Sequence, residues 1–293
     1  MDGWPENPGG RLRARLEAPE VLVLPGCADA LTARIAAAAG FEAVYATGAG
    51  IANAMLGVPD VGLTTMTEAV DQVGRICDAI DLPVVADIDT GFGNAINAQR
   101  TVRAFEKAGV AAVQVEDQVF PKRCGHFAGK AVVTLPEMLG KLRAVLDARR
   151  DPSLVVVART DVLAIEGLEA AVERGQAFVE AGADVVFVEA PTDRADLEAL
   201  PRRIDAPLLA NMVEGGRTPL LSAAELGAAG YRIVLFANTA LRVGAAAVRD
   251  ALIELRGTGD ARPLVDRMLA WDERQALVGL PEVKAAEERY KGS

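Results

Sequence analysis

One segment, Val115 to Lys130 (VEDQVFPKRCGHFAGK), gathers thiol, imidazole, ammonium and carboxylate groups within sixteen residues. It contains the only histidine of the chain, His126, two positions from Cys124, and both stand among Lys122, Arg123 and Lys130. A free thiol titrates near ~8.5 and neighbouring cations lower that value, so Cys124 is a candidate acid or base. The glycines of GHFAG allow the segment to hinge. A Cys-His hydrolase, with the imidazole against an attacking sulfur, is the competing chemistry, but no papain-like or caspase-like surroundings accompany the pair. A second constellation is ADIDTGFG, with Asp87 and Asp89 at i and i+2. At a strand end that spacing puts both carboxylates on one face. Two close carboxylates need a cation or a shared proton. Their hard oxygens suit Mg²⁺ or Mn²⁺, and Glu116 can join through water. A chain with one histidine does not build a multi-histidine zinc site.

Arg159, closing the run VVVAR, can hold a carboxylate in a bidentate fork, and Arg242 is a second candidate for a distal carboxylate. The stretch YATGAGIANAMLG resembles a dinucleotide fingerprint until its third glycine, where Asn53 stands, and no acid closes the next strand at the expected distance of ~20 residues. The turn is therefore read as presenting backbone N–H groups to a carboxylate or enolate oxygen.

These groups need a scaffold that collects them. Eight short runs rich in Val, Ile and Leu begin near Val21, Ala43, Pro83, Ala111, Leu154, Asp184, Pro207 and Tyr231, each followed by a helix-like stretch. Near-continuous apolar runs fit parallel strands covered on both faces. Each run ends on polar residues: Asp29, Thr47-Gly48, Asp87 with Asp89, Glu116-Asp117, Arg159-Thr160-Asp161, Glu189, Asn211 and Asn238. A (β/α)8 barrel gathers all eight ends at one rim, whereas a doubly wound open sheet uses only those beside its switch point. The barrel is the expectation, as one domain over residues 1–293. A helical cover is expected at about 1–20, and two extra helices at about 263–290.

The chain has 293 residues and a net charge of -10. That charge disfavours nucleic acid and anionic membrane as partners. No apolar run is long enough to span a bilayer and the N-terminal residues lack a signal-peptide core. Cys27, Cys77 and Cys124 are an odd, scattered set, which fits a reduced, cytoplasmic protein without a disulfide framework. Cys27 and Cys77 lie in apolar surroundings and read as packing residues.

KRCGH (Lys122 to His126), ADIDTGFG, VED and VVARTD, supported by VEAP and ANMVEGGRTP, together resemble the isocitrate lyase and phosphoenolpyruvate mutase superfamily. The likeness runs in order from about residue 15 to 290. It implies a barrel whose last helix swaps between subunits of a dimer or tetramer, bound Mg²⁺, and a gating loop at roughly 118–132. A cysteine in this loop favours the lyases, with the methylisocitrate lyase, dimethylmalate lyase and carboxyphosphonoenolpyruvate mutase group nearest. The expected reaction splits a 2-hydroxy di- or tricarboxylate into a 2-oxo acid such as pyruvate plus a carboxylate. P–C bond formation, or hydrolysis or decarboxylation of oxaloacetate, on the same barrel is the alternative. The resemblance implies metal ligation by Asp87, Asp89 and Glu116. It gives Cys124 the role of proton donor, with His126 and Lys122 beside it, and makes Asp60 an acid near the hydroxyl. Substrate contacts are expected from Tyr45, Thr47, Gly48, Ala49, Gly125, Arg159, Glu189, Asn211 and Arg242. ANMVEGG is closer to dimethylmalate lyase, while Arg242 falls where methylisocitrate lyase places a substrate arginine. TGAG departs from the usual SGGG of methylisocitrate lyase.

Overall fold

The structure is a computed structural model that describes residues 7–123, 125 and 129–291. Helix α1 (Pro8–Glu17) starts on Asn7, whose side chain accepts the Gly10 N–H, with proline in its first turn. Then follow β1 (Leu22–Cys27), α2 (Ala30–Ala38), β2 (Val44–Ala46) and α3 (Gly48–Ile51), which runs into a π turn (Ala52–Leu56). Next come α4 (Met66–Ala79), β3 (Val84–Asp87), α5 (Ala95–Lys107), β4 (Ala112–Glu116), α6 (Leu135–Ala148) and β5 (Val155–Thr160). Helices α7 (Leu163–Glu166) and α8 (Leu168–Glu180) lead to β6 (Val185–Val188), α9 (Arg194–Arg203), β7 (Leu208–Asn211), α10 (Ala223–Ala229) and β8 (Ile233–Phe236). The chain continues through α11 (Thr239–Thr258), a 3₁₀ turn (Arg262–Arg267), α12 (Trp271–Leu277) and α13 (Leu280–Tyr290).

All eight strands are parallel and form a closed barrel in chain order. Closure is made by β1 on β8, Leu22 to Pro25 facing Ile233 to Phe236. Gly26 sits at that seam because a Cβ there would lie 1.9 Å from the Ala237 carbonyl oxygen. The strand period of two sorts the side chains. Leu24, Tyr45, Val85, Val157, Phe187, Leu209 and Leu235 fill the interior, and Leu12 of α1 closes one end of that column. The alternate residues, such as Val84, Val113, Val156, Val186 and Leu208, pack under the helices. The residue two past an inward apolar one also faces inward, so Val85 is followed by Asp87, Val157 by Arg159, Phe187 by Glu189 and Leu209 by Asn211. Parity alone thus places four candidate groups at the C-terminal mouth.

Helix α5 shows how the outer layer is specified. Asn94 and Asn97 cap its start reciprocally, and Ala98, Thr101, Val102 and Phe105 form the buried stripe at i, i+3, i+4 and i+7. Burying Phe105 stabilises by about 1.5–3 kcal/mol. Helix α11 differs: in twenty residues it buries none. Val243, Val248, Leu252 and Ile253 on it are 58–66 % exposed.

Gly259, at φ 63, ends α11, and Pro263 opens a 3₁₀ turn, so two α-helices begin only at Trp271 and Leu280. At the other end, α1 buries Gly9 and Leu12. Burial pushes the Cys27 and Cys77 thiols up to about 12, as suits packing residues. Among the described residues no helix is long and apolar enough to cross a membrane.

Candidate active site

The barrel mouth holds a pocket whose walls include Tyr45, Thr47, Ala49, Asp60, Asp87, Lys122, Gly125, Arg159, Glu189 and Asn211. One wall is acidic. Asp87, ending β3, accepts hydrogen bonds from the Gly48 N–H (3.3 Å), the Asp89 N–H (3.0 Å) and Gln114 Nε2 (3.3 Å). Gln114 is oriented for this by Tyr45, whose hydroxyl donates to its Oε1 at 2.7 Å. Asp89 sits at φ 49, a left-handed conformation that costs a non-glycine residue energy, and its Oδ1 would lie 3.3 Å from a Cβ at Gly48. Lys122 is buried and hydrogen-bonds Asp60; its ammonium is also ion-paired with Asp89 Oδ1 at 2.7 Å. Burial pushes the Asp89 carboxyl up to about 6, against the opposing pull of Lys122. Burial also works against the Lys122 ammonium, but Asp89 and Asp60 outweigh it and keep the lysine charged.

The opposite wall is built around Arg159 at the end of β5. Its Nε lies 2.9 Å from Asp161 Oδ2 and 3.3 Å from Glu116 Oε2, and its Nη1 lies 3.2 Å from Glu189 Oε2. The guanidinium stacks over Phe187, 5.1 Å from the ring centre. Glu116 reaches it because β4 and β5 pair with Glu116 opposite Arg159. Asn211 donates to Glu189 Oε2 at 3.4 Å. Gly125 lies on this wall so closely that a Cβ would be 2.4 Å from Arg159 Nη2 and 2.6 Å from Glu189 Cγ.

Two expectations change. The N–H groups of Thr47 and Gly48 are engaged, the first by the Cys27 carbonyl at 3.2 Å and the second by Asp87, because β1 and β3 flank the turn. They hold the acid wall together and do not form an open cradle. Arg242, on α11, is not part of the pocket wall: it binds the Glu214 carbonyl and lies 3.4 Å from the Glu214 carboxylate, with more than half of its side chain exposed. Of the remaining strand-end groups, Asp29 caps α2. Cys124 and His126 lie outside the described residues.

Over residues 12–256 the chain matches the family described as phosphoenolpyruvate phosphomutase. The chain belongs to the phosphoenolpyruvate mutase family. Within it, 2,3-dimethylmalate lyase of Eubacterium barkeri is 44% identical over 284 residues, 97% of this chain and 98% of that protein. The 2-methylisocitrate lyase of Aeropyrum pernix is 43% identical over 274 residues, 94% of this chain and 88% of its own. Among solved structures, oxaloacetate acetylhydrolase with the inhibitor 3,3-difluorooxalacetate superposes with a TM-score of 0.94 at 35% identity, covering 99% of both chains. Phosphonopyruvate hydrolase, in complex with oxalate and Mg²⁺, gives a TM-score of 0.88 at 31% identity over 97% of this chain and 99% of that one. With lyases as relatives along nearly its whole length, this member of the family is a carbon–carbon lyase.

The family's metal can be tested against the residues present. Asp60, Asp87, Asp89, Glu116, Asp161 and Glu189 are six carboxyls set against four cations, Lys122, Arg123, Lys130 and Arg159. A formal excess of two negative charges in a buried site calls for protons or a divalent cation. Glu116 Oε1 is buried without a hydrogen bond, while Asp89 Oδ1 is paired with the Lys122 ammonium at 2.7 Å. Burial raises Glu116 well above the usual carboxylate range, although Arg159 draws it down. Among the described residues no three acid, cysteine or histidine groups close into a metal cage. Mg²⁺ does not need one, since it keeps several waters and takes one or two carboxylates. The donors fit that ion.

Sequence reasoning missed Gln114, which sets Asp87 and Tyr45, and the partners of Asp161, which join Arg159 to Lys130. Their signal was an uncharged Gln at the inward parity of β4 and an acid two residues past Arg159.

Proposed function

We propose that this chain is a Mg²⁺-dependent lyase that cleaves the C2–C3 bond of a 2-hydroxy dicarboxylate, 2,3-dimethylmalate or a close analogue such as 2-methylisocitrate, to a 2-oxo acid such as pyruvate and a carboxylate. The observation that carries the reading is the pairing, in one pocket, of the Asp87–Asp89–Asp60 wall with the Arg159 wall. Engagement of Arg242 by Glu214, with neither residue on the pocket wall, favours a dicarboxylate over a tricarboxylate.

Asp87 and Asp89, with Glu116 through water, would hold the ion, and Mn²⁺ suits the same oxygens. When bound, it supplies Lewis-acid polarisation of the 2-hydroxyl and charge balance for the acids. The chain's residues do the rest. Arg159, backed by Glu189 and Asn211, binds carboxylate, and Tyr45, Thr47, Gly48 and Ala49 shape the wall against which the substrate lies. Asp60, held by Lys122, accepts the hydroxyl proton. As the C2–C3 bond breaks, its electron pair passes to C3, where the attached carboxylate delocalises it. Cys124 donates its proton to C3, with His126 beside it, and regains one from solvent. Gly125 brings that loop onto Arg159, which excludes water.

The rest of the proposal is architectural. The chain is a single barrel domain in a reduced, cytoplasmic setting. The exposed apolar residues of α11 dock on a second copy of the chain, giving a dimer or tetramer. A panel of 2,3-dimethylmalate, 2-methylisocitrate, 2-methylmalate and oxaloacetate, assayed for released 2-oxo acid or oxalate, tests the function. Release of pyruvate that falls ~100- to 10,000-fold in Cys124→Ser is the expected result, the usual worth of general acid catalysis. Oxalate from oxaloacetate alone would replace the lyase reading with hydrolysis, and full activity of Cys124→Ser would remove the thiol from the chemistry.

A further inference from the structure

On either side of position 124, residues 117–119 and 131–133 pair in a short antiparallel stem. The Val119 N–H donates to the Ala131 carbonyl and the Val133 N–H to the Asp117 carbonyl, both at 2.8 Å, with Gln118 opposite Val132. From this stem the buried carboxamide of Gln118 grips Arg123 at two points. Its Oε1 accepts the Arg123 N–H at 3.0 Å and its Nε2 donates to the Arg123 carbonyl at 2.8 Å. One side chain thus satisfies both polar groups of one backbone residue, as a neighbouring strand would.

A second grip lies on the other side of position 124. Lys130 Nζ donates to the Gly125 carbonyl at 2.5 Å and to Asp161 Oδ1 at 2.6 Å, and its side chain is 3 % exposed. Asp161 is fully buried just past the end of β5, where its N–H is held by Asp117 at 3.0 Å. Asp117 in turn is fixed by Thr160 (2.6 Å) and Arg174 (2.9 Å). Both grips therefore lead back into the rigid barrel wall, and neither Gln118 nor Lys130 lines the pocket.

We infer that Gln118 and Lys130 are positioning residues that fix the peptide on either side of Cys124, and so decide where its thiol is delivered, without touching the substrate. The inference rests on the proposed role of Cys124 as proton donor. A misplacement of about 1 Å costs on the order of 100-fold in rate. For Gln118 such a loss appears in kcat, because its carboxamide holds the Arg123 backbone and not the Arg159 wall that binds substrate. A merely structural Gln118 would lower stability and spare kcat in the folded fraction.

The test measures kcat and KM on the same four acids for Gln118→Leu, Lys130→Met, Cys124→Ser and the double variant Gln118→Leu with Cys124→Ser. The expected result for Gln118→Leu is about a 100-fold fall in kcat with KM within about threefold, and for Lys130→Met a comparable fall in kcat that Lys130→Arg partly restores. Because Gln118 acts through the thiol, the double variant should lose nothing beyond Cys124→Ser alone. Should Gln118→Leu not fold, Gln118→Glu keeps the acceptor for Arg123 N–H and loses the donor, and an intermediate kcat is expected. Wild-type kcat in the folded Gln118 and Lys130 variants, or fully multiplicative losses in the double variant, overturns the inference while leaving Cys124 as the acid. Full activity of Cys124→Ser, or no turnover on any of the four acids, overturns the functional reading and this inference with it.

Discussion

Gly125→Ala asks for one methyl group at the tightest point of the candidate site. Its Cβ would stand 2.4 Å from Arg159 Nη2 and 2.6 Å from Glu189 Cγ, where an ordinary contact begins near 3.4 Å. The arginine cannot step aside cheaply, since Asp161, Glu116 and Glu189 hold it at 2.9–3.3 Å in a buried setting. Either the loop retreats by about 1 Å or the guanidinium leaves its partners. Retreat of the loop predicts about a 100-fold fall in kcat with KM little changed. Displacement of Arg159 predicts a raised KM through loss of a charge-assisted bond worth about 1.5–3 kcal/mol. The wider network favours the first outcome. Steady-state kinetics on the active acid of the panel, beside a thermal melt, reads the difference. Gly140→Ala on α6, where the added Cβ meets nothing within 4 Å, is the control and should keep full activity. A Gly125→Ala enzyme with kcat within threefold of wild type would show that the loop does not close on Arg159 as described.

Three further outcomes are expected. Asp87→Ala and Asp89→Asn should each abolish Mg²⁺ binding in a calorimetric titration without substrate; an unchanged isotherm would place the ion elsewhere. Arg174→Met should destabilise the fold by about 3–5 kcal/mol in urea unfolding, because it strips Asp117, fully buried, of its 2.9 Å cationic partner; a loss under 1 kcal/mol would contradict that pairing. Val248→Asp with Leu252→Asp should yield monomers in sedimentation velocity at a concentration where the wild type is oligomeric, whereas an unaltered assembly would exclude α11 from the interface.

Much of this site is legible before any coordinates, because strand parity is a local property. Asp87 two residues past Val85, Glu189 two past Phe187 and Arg159 two past Val157 each follow from a period of two and a polar strand end. The eight apolar runs are legible for the same reason, since a parallel strand covered on both faces needs a continuous apolar stretch wherever it lies. The role of α11 is different. Its apolar residues read as an ordinary amphipathic helix, and that pattern is identical whether the stripe faces its own barrel or another surface. Only the likeness to a superfamily with swapped helices raised the second option.

What stayed hidden are the partners, which depend on register between strands. Glu116 meets Arg159 because β4 and β5 pair in that register; a shift of one residue would turn Glu116 to the helix layer. The engagement of the Thr47 and Gly48 N–H groups hangs on β1 and β3 standing on either side of one turn, a fact about neighbours that no local spacing encodes. Lys130 reads from the chain as one more cation lowering the Cys124 pKa, yet its ammonium is taken by Asp161 and the Gly125 carbonyl. Its charge therefore serves geometry at least as much as acidity. The same holds for Lys122, whose ammonium is committed to the acid wall through Asp60 and Asp89. With both lysines so bound, the bracing of Arg123 by Gln118 and of Gly125 by Lys130 serves delivery of the Cys124 thiol more directly than the cations serve its activation.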